Sequence, residues 1–371
     1  MLVHRTVWVP VLVALIAISS VAGQEKEPEV RGKKLSEWTK ILREDKDARE
    51  RGRAMIALEI MASKSKMVLP ILLREARENT EPAVRAKCIE LLPKFREQSD
   101  KIADTIAAAI TEDKSERVRA AAAASAAKLE RDGFSTIPPL IEALKDKDAT
   151  TRLNAAESIG RFSRIDNEVA KDAIPNLIAC LDDKDAAVRR EAAFVFGRMG
   201  AIAEPAVPAL AKLVATDASI LVRKEAAKTL GVLGPKAKAA VAGLMKGLQD
   251  SDAEMRLQAA MTLGQVGPDA AEAIPSLLKA TKDKDKAVRC EAIHSLGKFG
   301  KAAYAVIPDL IRILKDEEVP EVRLAAIQEL GDFGPEAKQA VEALTIASRD
   351  GRPAIREAAA EALKKIQKPS G

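Results

Sequence analysis

The chain has 371 residues, with 60 Lys and Arg against 55 Asp and Glu and a net charge of +5. An excess this small, with basic and acidic side chains interspersed along the sequence, excludes a nucleic-acid surface, which needs clustered cations and side chains that reach bases. Two histidines and three cysteines leave little material for metal or thiol chemistry.

The first segment, "MLVHRTVWVPVLVALIAISSVAG", has His4 and Arg5 ahead of an apolar run from Val7 to Ile18 and small residues before Gln24. This is the form of a secretory signal peptide over residues 1–23, cleaved after Gly23; the run is short for a membrane span and carries Pro10. The expected location is exported, periplasmic or extracellular, with no stable membrane span after cleavage, and an uncleaved anchor is the rival reading. Residues 24–34, "QEKEPEVRGKK", read as a polar disordered linker. Removing Arg5 leaves 59 basic against 55 acidic residues, a mature charge of +4.

From residue 35 to 367 the sequence repeats itself. An Arg recurs at 51, 85, 119, 152, 189, 223, 256, 289, 323 and 356, in steps of 33 or 34 with one step of 37. Six positions before it stands Asp in eight units, with Asn79 and Glu317 in the others; three after it stands Ala, except at Cys88. Relative to this Arg, small or apolar residues fall at −1, +3, +4 and +7, the spacing of one buried helical face. An earlier short amphipathic run opens with Pro175, Pro208, Pro275 or Pro308, and proline in a first helical turn marks a helix start. Asp148, Asp185, Asp252 and Asp285 are placed to cap the second helix, and glycine pairs such as Gly197 and Gly200 are placed to stop it. Units of two helices bury their apolar faces only by stacking, so the expected fold is all-α: a right-handed α-solenoid of about ten repeats, followed by a tail at 368–371. The 37-residue step, which contains "RFSRIDNEVAKD", reads as a loop or a bend in an unbroken stack.

The recurring Pro, Leu, Asp, Val-Arg, Ala-Ala, Leu-Gly pattern over residues 35–367 resembles the HEAT-like repeat of the phycobilisome-lyase type. That resemblance implies that Asp183, Arg189 and their equivalents form a structural ladder between neighbouring units. The buried placement of the Arg supports this independently, because a guanidinium there needs a partner. Bilin-lyase activity is the other association of that family, and it conflicts with an export signal. Iron hydroxylases of the same architecture take repeated His-Glu pairs as ligands, whereas here His4 falls in the leader and His294 is followed by Ser295. Haem, Walker, nucleophile-elbow and zinc motifs do not occur, so no catalytic residue, cofactor or metal is expected. Cys88, Cys180 and Cys290 sit in the second, fifth and eighth units, about 25 to 30 Å apart at helix-layer spacing, and read as buried thiols.

The function expected is a non-enzymatic, exported scaffold that binds a protein or peptide on the concave side. The alternatives are a noncatalytic accessory subunit or chaperone-like factor for an exported enzyme and, from another class, a bilin-lyase-like enzyme. Positions +2, +5 and +9 lie opposite the buried face: Glu191, Phe194, Arg198; Glu225, Lys228, Val232; Gln258, Met261, Gln265; Glu291, His294, Lys298. Of these, Glu191, Phe194, Arg198, Lys228, Val232, Met261, Gln265, His294 and Lys298 are the candidate partner-binding residues. Phe194, Val232 and Met261 are expected to form one apolar stripe flanked by charge, unless the helix is rotated and they are core.

Overall fold

The computed structural model describes residues 26–368, so the signal peptide expected at 1–23 falls outside the described residues, which divide into two compact units at Val68/Leu69. In the first unit Glu29–Val30 (β1) pairs antiparallel with Lys33–Lys34 (β2), across a turn in which Arg31 and Gly32 both have positive φ. Such a turn matches the twist of a two-residue hairpin. Val30 O accepts a hydrogen bond from Trp38 Nε1 at 3.0 Å, which ties the hairpin to helix Leu35–Glu44 (α1). Residues 29–34 are thus a hairpin where the sequence suggested part of a disordered linker; two strand residues a side and one indole donor are too short a pattern to read from alternation. Helix Ala48–Ala62 (α2) completes the unit, capped by Asp47, whose side chain accepts from the Arg49 amide.

The second unit contains nine helix pairs. The first members are Leu69–Glu78 (α3), Ser99–Glu112 (α5), Ile137–Ala143 (α7), Ile174–Cys180 (α9), Val207–Thr216 (α11), Val241–Gly247 (α13), Ile274–Ala280 (α15), Ile307–Asp316 (α17) and Val341–Ala347 (α19). The second members are Pro82–Leu91 (α4), Glu116–Ala126 (α6), Ala149–Ile165 (α8), Ala186–Met199 (α10), Ile220–Leu233 (α12), Ala253–Val266 (α14), Lys286–Gly297 (α16), Pro320–Asp332 (α18) and Pro353–Ile366 (α20). The all-α solenoid is therefore the fold. Pro175, Pro208, Pro275 and Pro308 stand in the first turns of α9, α11, α15 and α17. Asp148, Asp185, Asp252 and Asp285 accept from backbone amides at the starts of α8, α10, α14 and α16.

From α4 to α16 every stacking interface carries an outer tie, and four of them carry an inner tie as well. In the outer tie, Arg189 Nε and Nη2 donate to both carboxylate oxygens of Asp217 in the next unit, at 2.7 and 2.9 Å, while Nη1 donates to Asp183 O at 2.7 Å in its own unit. Asp183 is in turn held by Arg152 of the preceding unit at 2.6 and 2.8 Å. The same fork joins Arg85 to Asp113, Arg119 to Asp146, Arg223 to Asp250 and Arg256 to Asp283. The expected ladder is present, and each Arg pairs with the Asp of the following unit. In the inner tie, a hydroxyl six positions after the Arg donates to a carbonyl of the preceding second helix: Ser158 to Ala123, Thr229 to Ala193, Thr262 to Ala227 and Ser295 to Ala260, all at 2.7 to 3.0 Å.

The glycine pairs divide their work between these needs. Gly234 has φ +55 at the end of α12 and turns the chain, as a helix stop should. Gly197 lies inside α10, where an added Cβ would come within 3.1 Å of Thr229 Oγ1; it is the notch that lets α12 approach closely enough for the inner tie. The extra residues of the 37-residue step are taken up in helix, not in a loop. Helix α8 runs for 17 residues where α10, α12 and α14 run for 14, and three extra residues are close to one helical turn. The Arg152–Asp183 fork crosses this step unbroken.

The last two interfaces depart from both ties: between α18 and α20 Arg323 gives Asp350 a single bond from Nη1 at 3.0 Å, and Ala362 holds the hydroxyl's position. Between α16 and α18 the carboxylate opposite Arg289 is Glu317, which takes a single bond from Nη2 at 3.2 Å, and Arg289 Nε is buried without a partner. The position of the inner-tie hydroxyl is Glu329, whose Oε1 lies 2.9 Å from His294 Nδ1.

Candidate functional site

The face opposite the core of α10, α12 and α14 carries a groove of about 590 Å³, open to solvent. Its apolar floor is Phe194 and Met261, both half-buried, with Leu257 and the 56 % exposed Leu221. Its walls are charged. Lys224 Nζ is committed to Asp252 at 2.9 Å and Glu254 at 2.5 Å, while Arg190, Glu225 and Lys228 line the remaining rim. Glu191 stands at one end with Oε1 buried and unpartnered. Burial, and after it the Glu157 carboxylate one unit back, push the Glu191 carboxyl above its ordinary value, with Arg198 and Arg190 offsetting part of the effect. The Arg198 guanidinium lies over the Phe194 ring, 4.4 Å from its centroid, and its Nη1 is also buried without a partner.

The structure therefore brings together Glu191, Phe194, Lys228 and Met261 of the expected set, with Arg198 stacked beside them. Val232 is 58 % exposed and stands apart from the groove, so the expected stripe of Phe194, Val232 and Met261 is replaced by Phe194, Leu221, Leu257 and Met261. Leu221 and Leu257 fall at −2 and +1 from their Arg residues; at about 100° per residue both lie in the same sector as +2 and +5, and each stands about one turn nearer the helix start than +2 and +5 respectively. Gln265 and Lys298 are exposed on later turns, and Lys298 Nζ is 4.0 Å from Glu291. His294 is spoken for by Glu329, whose hydrogen bond raises the imidazole above its ordinary value against the effect of burial. Cys88 and Cys180 are buried, and desolvation pushes their thiols up to about 12 and about 11; Cys290, expected to be buried, is half-buried, because it holds the +1 position of α16, in the sector opposite the core that Leu257 holds on α14.

Among the described residues no group of three or more His, Cys, Asp or Glu is placed to hold a metal ion, and no helix is long and apolar enough to cross a membrane.

Comparison with known proteins identifies the repeat. The family model described as HEAT repeats matches residues 69–159, 102–194, 174–245, 241–331 and 307–371. No curated protein matches by sequence. Among solved structures, importin beta in a polyethylene glycol condition is similar with a TM-score of 0.64 at 14 % identity, over 90 % of this chain and 52 % of that one. Yeast importin-beta, Kap95p, is similar with a TM-score of 0.56 at 15 % identity over 90 % and 50 %, and Kap121p with 0.53 at 14 % over 90 % and 45 %. The chain thus spans about half the length of these structures, and at such identities the likeness is one of fold. It overturns one expectation: the solenoids that match are importins and karyopherins, one of them studied for nuclear import complex assembly, and the exported, periplasmic or extracellular location is withdrawn. With the family model covering most of its length, from residue 69 to 371, this chain belongs to the HEAT-repeat proteins.

Proposed function

We propose that this protein is a non-enzymatic scaffold that holds a protein or peptide partner on the face formed by its second helices, with the α10–α14 groove as the seat. The carrying observation is the groove itself: four large apolar side chains from three successive units, left at the surface and rimmed by charge, have the make-up of the core and rim of a protein interface. Kap95p bound to Nup1 and Kap121p bound to Ulp1p are solenoids of this fold in complex with other proteins, which supports the class of partner without naming one. The short period and the Val-Arg, Ala-Ala, Leu-Gly pattern support a repeat of the phycobilisome-lyase type; it is the repeat that is meant, not the activity. The test is a Phe194→Ala, Met261→Ala double variant. Both side chains are half-buried, so the melting temperature should fall by only a few degrees while a partner captured by the wild-type chain is lost. A large drop in melting temperature, or retention of that partner, refutes the seat.

A further inference from the structure

An unpartnered carboxylate oxygen inside a protein surface is costly, since it has given up water without gaining a donor. Glu191 Oε1 is in that position, at the edge of an apolar floor, and it is accompanied by an unpartnered donor, Arg198 Nη1, on the same face of α10. Neither is satisfied by the groove's own charges. Lys224, which lines the groove, is taken by Asp252 and Glu254 of the next unit, and the Arg198 guanidinium lies over the Phe194 ring. Glu157 is bonded to Arg161 on its own helix, with Nη2 at 2.7 Å, so it adds negative potential at Glu191 and supplies no hydrogen bond to it. Seven residues separate Glu191 from Arg198, about 10 Å along a helix, which is the reach of about three residues of extended chain.

We propose that the groove takes an extended peptide segment in which a lysine or arginine stands beside a large apolar residue: the cation donates to Glu191 Oε1, the apolar side chain lies on Phe194, Leu257 and Met261, and a peptide carbonyl accepts from Arg198 Nη1. This rests on the reading of the groove as the partner's seat and adds the chemistry of what sits there. The charge complementarity is local. Glu191 is flanked by Glu157 and Glu225 in the units on either side, and both raise the benefit of placing a cation at that point. An acidic residue in the same place would meet three carboxylates, two of them on the groove wall.

The experiment uses the full chain with methionine methyl groups labelled, the Met261 resonance being assigned with Met261→Leu. Three acetylated and amidated pentapeptides are titrated in, Ala-Leu-Lys-Leu-Ala and its analogues with Gln or Glu at the centre, following the Met261 methyl shift. The Lys peptide should move that resonance and bind at least tenfold more tightly than either analogue. In Glu191→Gln, which keeps the shape of the side chain, the preference should collapse to within about twofold while weak binding of the Gln peptide persists and the melting temperature does not fall. Equal binding of the three peptides, or a preference that survives Glu191→Gln, overturns the cation specificity and leaves the groove as a seat for apolar segments. No Met261 shift with any peptide overturns seat and specificity together. A Met261 shift that appears on raising the protein concentration alone, with sedimentation showing self-association, makes a second copy the occupant and overturns the proposal as well.

Discussion

Arg189→Ala tests the outer tie most directly, because everything the guanidinium does is structural. The substitution removes two bonds to Asp217, at 2.7 and 2.9 Å, and the bond to Asp183 O at 2.7 Å. It leaves Asp217, whose side chain is only 4 % exposed, with the Ser219 amide as donor. Stranding a mostly buried carboxylate in this way costs about 3 kcal/mol. Asp217→Ala removes the carboxylate instead, and the double variant has neither group to strand, so it should be less destabilised than the sum of the two by at least 1 kcal/mol. Urea denaturation followed by circular dichroism measures the four members of the cycle. Hydrogen exchange of the amides in α10 and α12 should show that the loss is concentrated at their interface, since a repeat stack loses stability by neighbours. Strict additivity of the two substitutions, or an unchanged denaturation midpoint in Arg189→Ala, would refute the claim that the fork holds adjacent units together.

Acid should act on the same ties. Burial alone would raise the Asp217 carboxyl, but the bonds from Arg189 and the Ser219 amide outweigh it and hold the group below its ordinary 3.8, as happens at Asp113, Asp146, Asp183, Asp250 and Asp283. Because these folded-state values are depressed, their stabilisation is complete above the ordinary carboxylate range and is lost as pH falls below it; melting temperatures measured downward from pH 5 should drop steeply only past about pH 4. His294 runs the opposite way: its imidazole is raised above 6.5, so its bond to Glu329 contributes fully below that value and fades as pH rises past it, and an NMR titration of its ring in Glu329→Gln should move back toward 6.5. Glu317→Asp should let Arg289 use Nε as well as Nη2 and raise stability by about 1 kcal/mol, read from the denaturation midpoint. Thiol titration of the native protein should find Cys88 and Cys180 inert and Cys290 the first to react.

The period, the caps and the proline-marked helix starts were legible because each is a local rule written many times over. What local rules do not carry is which unit answers which. Asp183 and Arg189 belong to the same repeat, yet their forks point in opposite directions along the stack, to Arg152 and to Asp217. The inner tie escaped notice because Ser and Thr at one position look like ordinary variation until the carbonyl of the preceding helix is seen beneath them. Gly197 was read as a stop because the same residue type serves turns and close approach alike. For the groove, what the repeat pattern left open was height along the helix: Leu221 and Leu257 share the angular sector of the +2 and +5 rows but lie about three and two turns nearer the helix start than the +9 row of Val232.

The outer tie has a consequence for length. Since each interface from α4 to α16 is fastened through the same few positions, with Arg reaching forward and Asp reaching back, the number of units is a free variable. Excising residues 190–223 would splice Arg189 to Lys224 and bring it opposite Asp250, the partner that Arg223 now holds, so the fork closes again although the groove loses Glu191, Phe194 and Leu221. Such a chain is a ruler graduated in steps of 33 or 34 residues, and what a lost or gained graduation changes is the span it can offer to whatever lies along it.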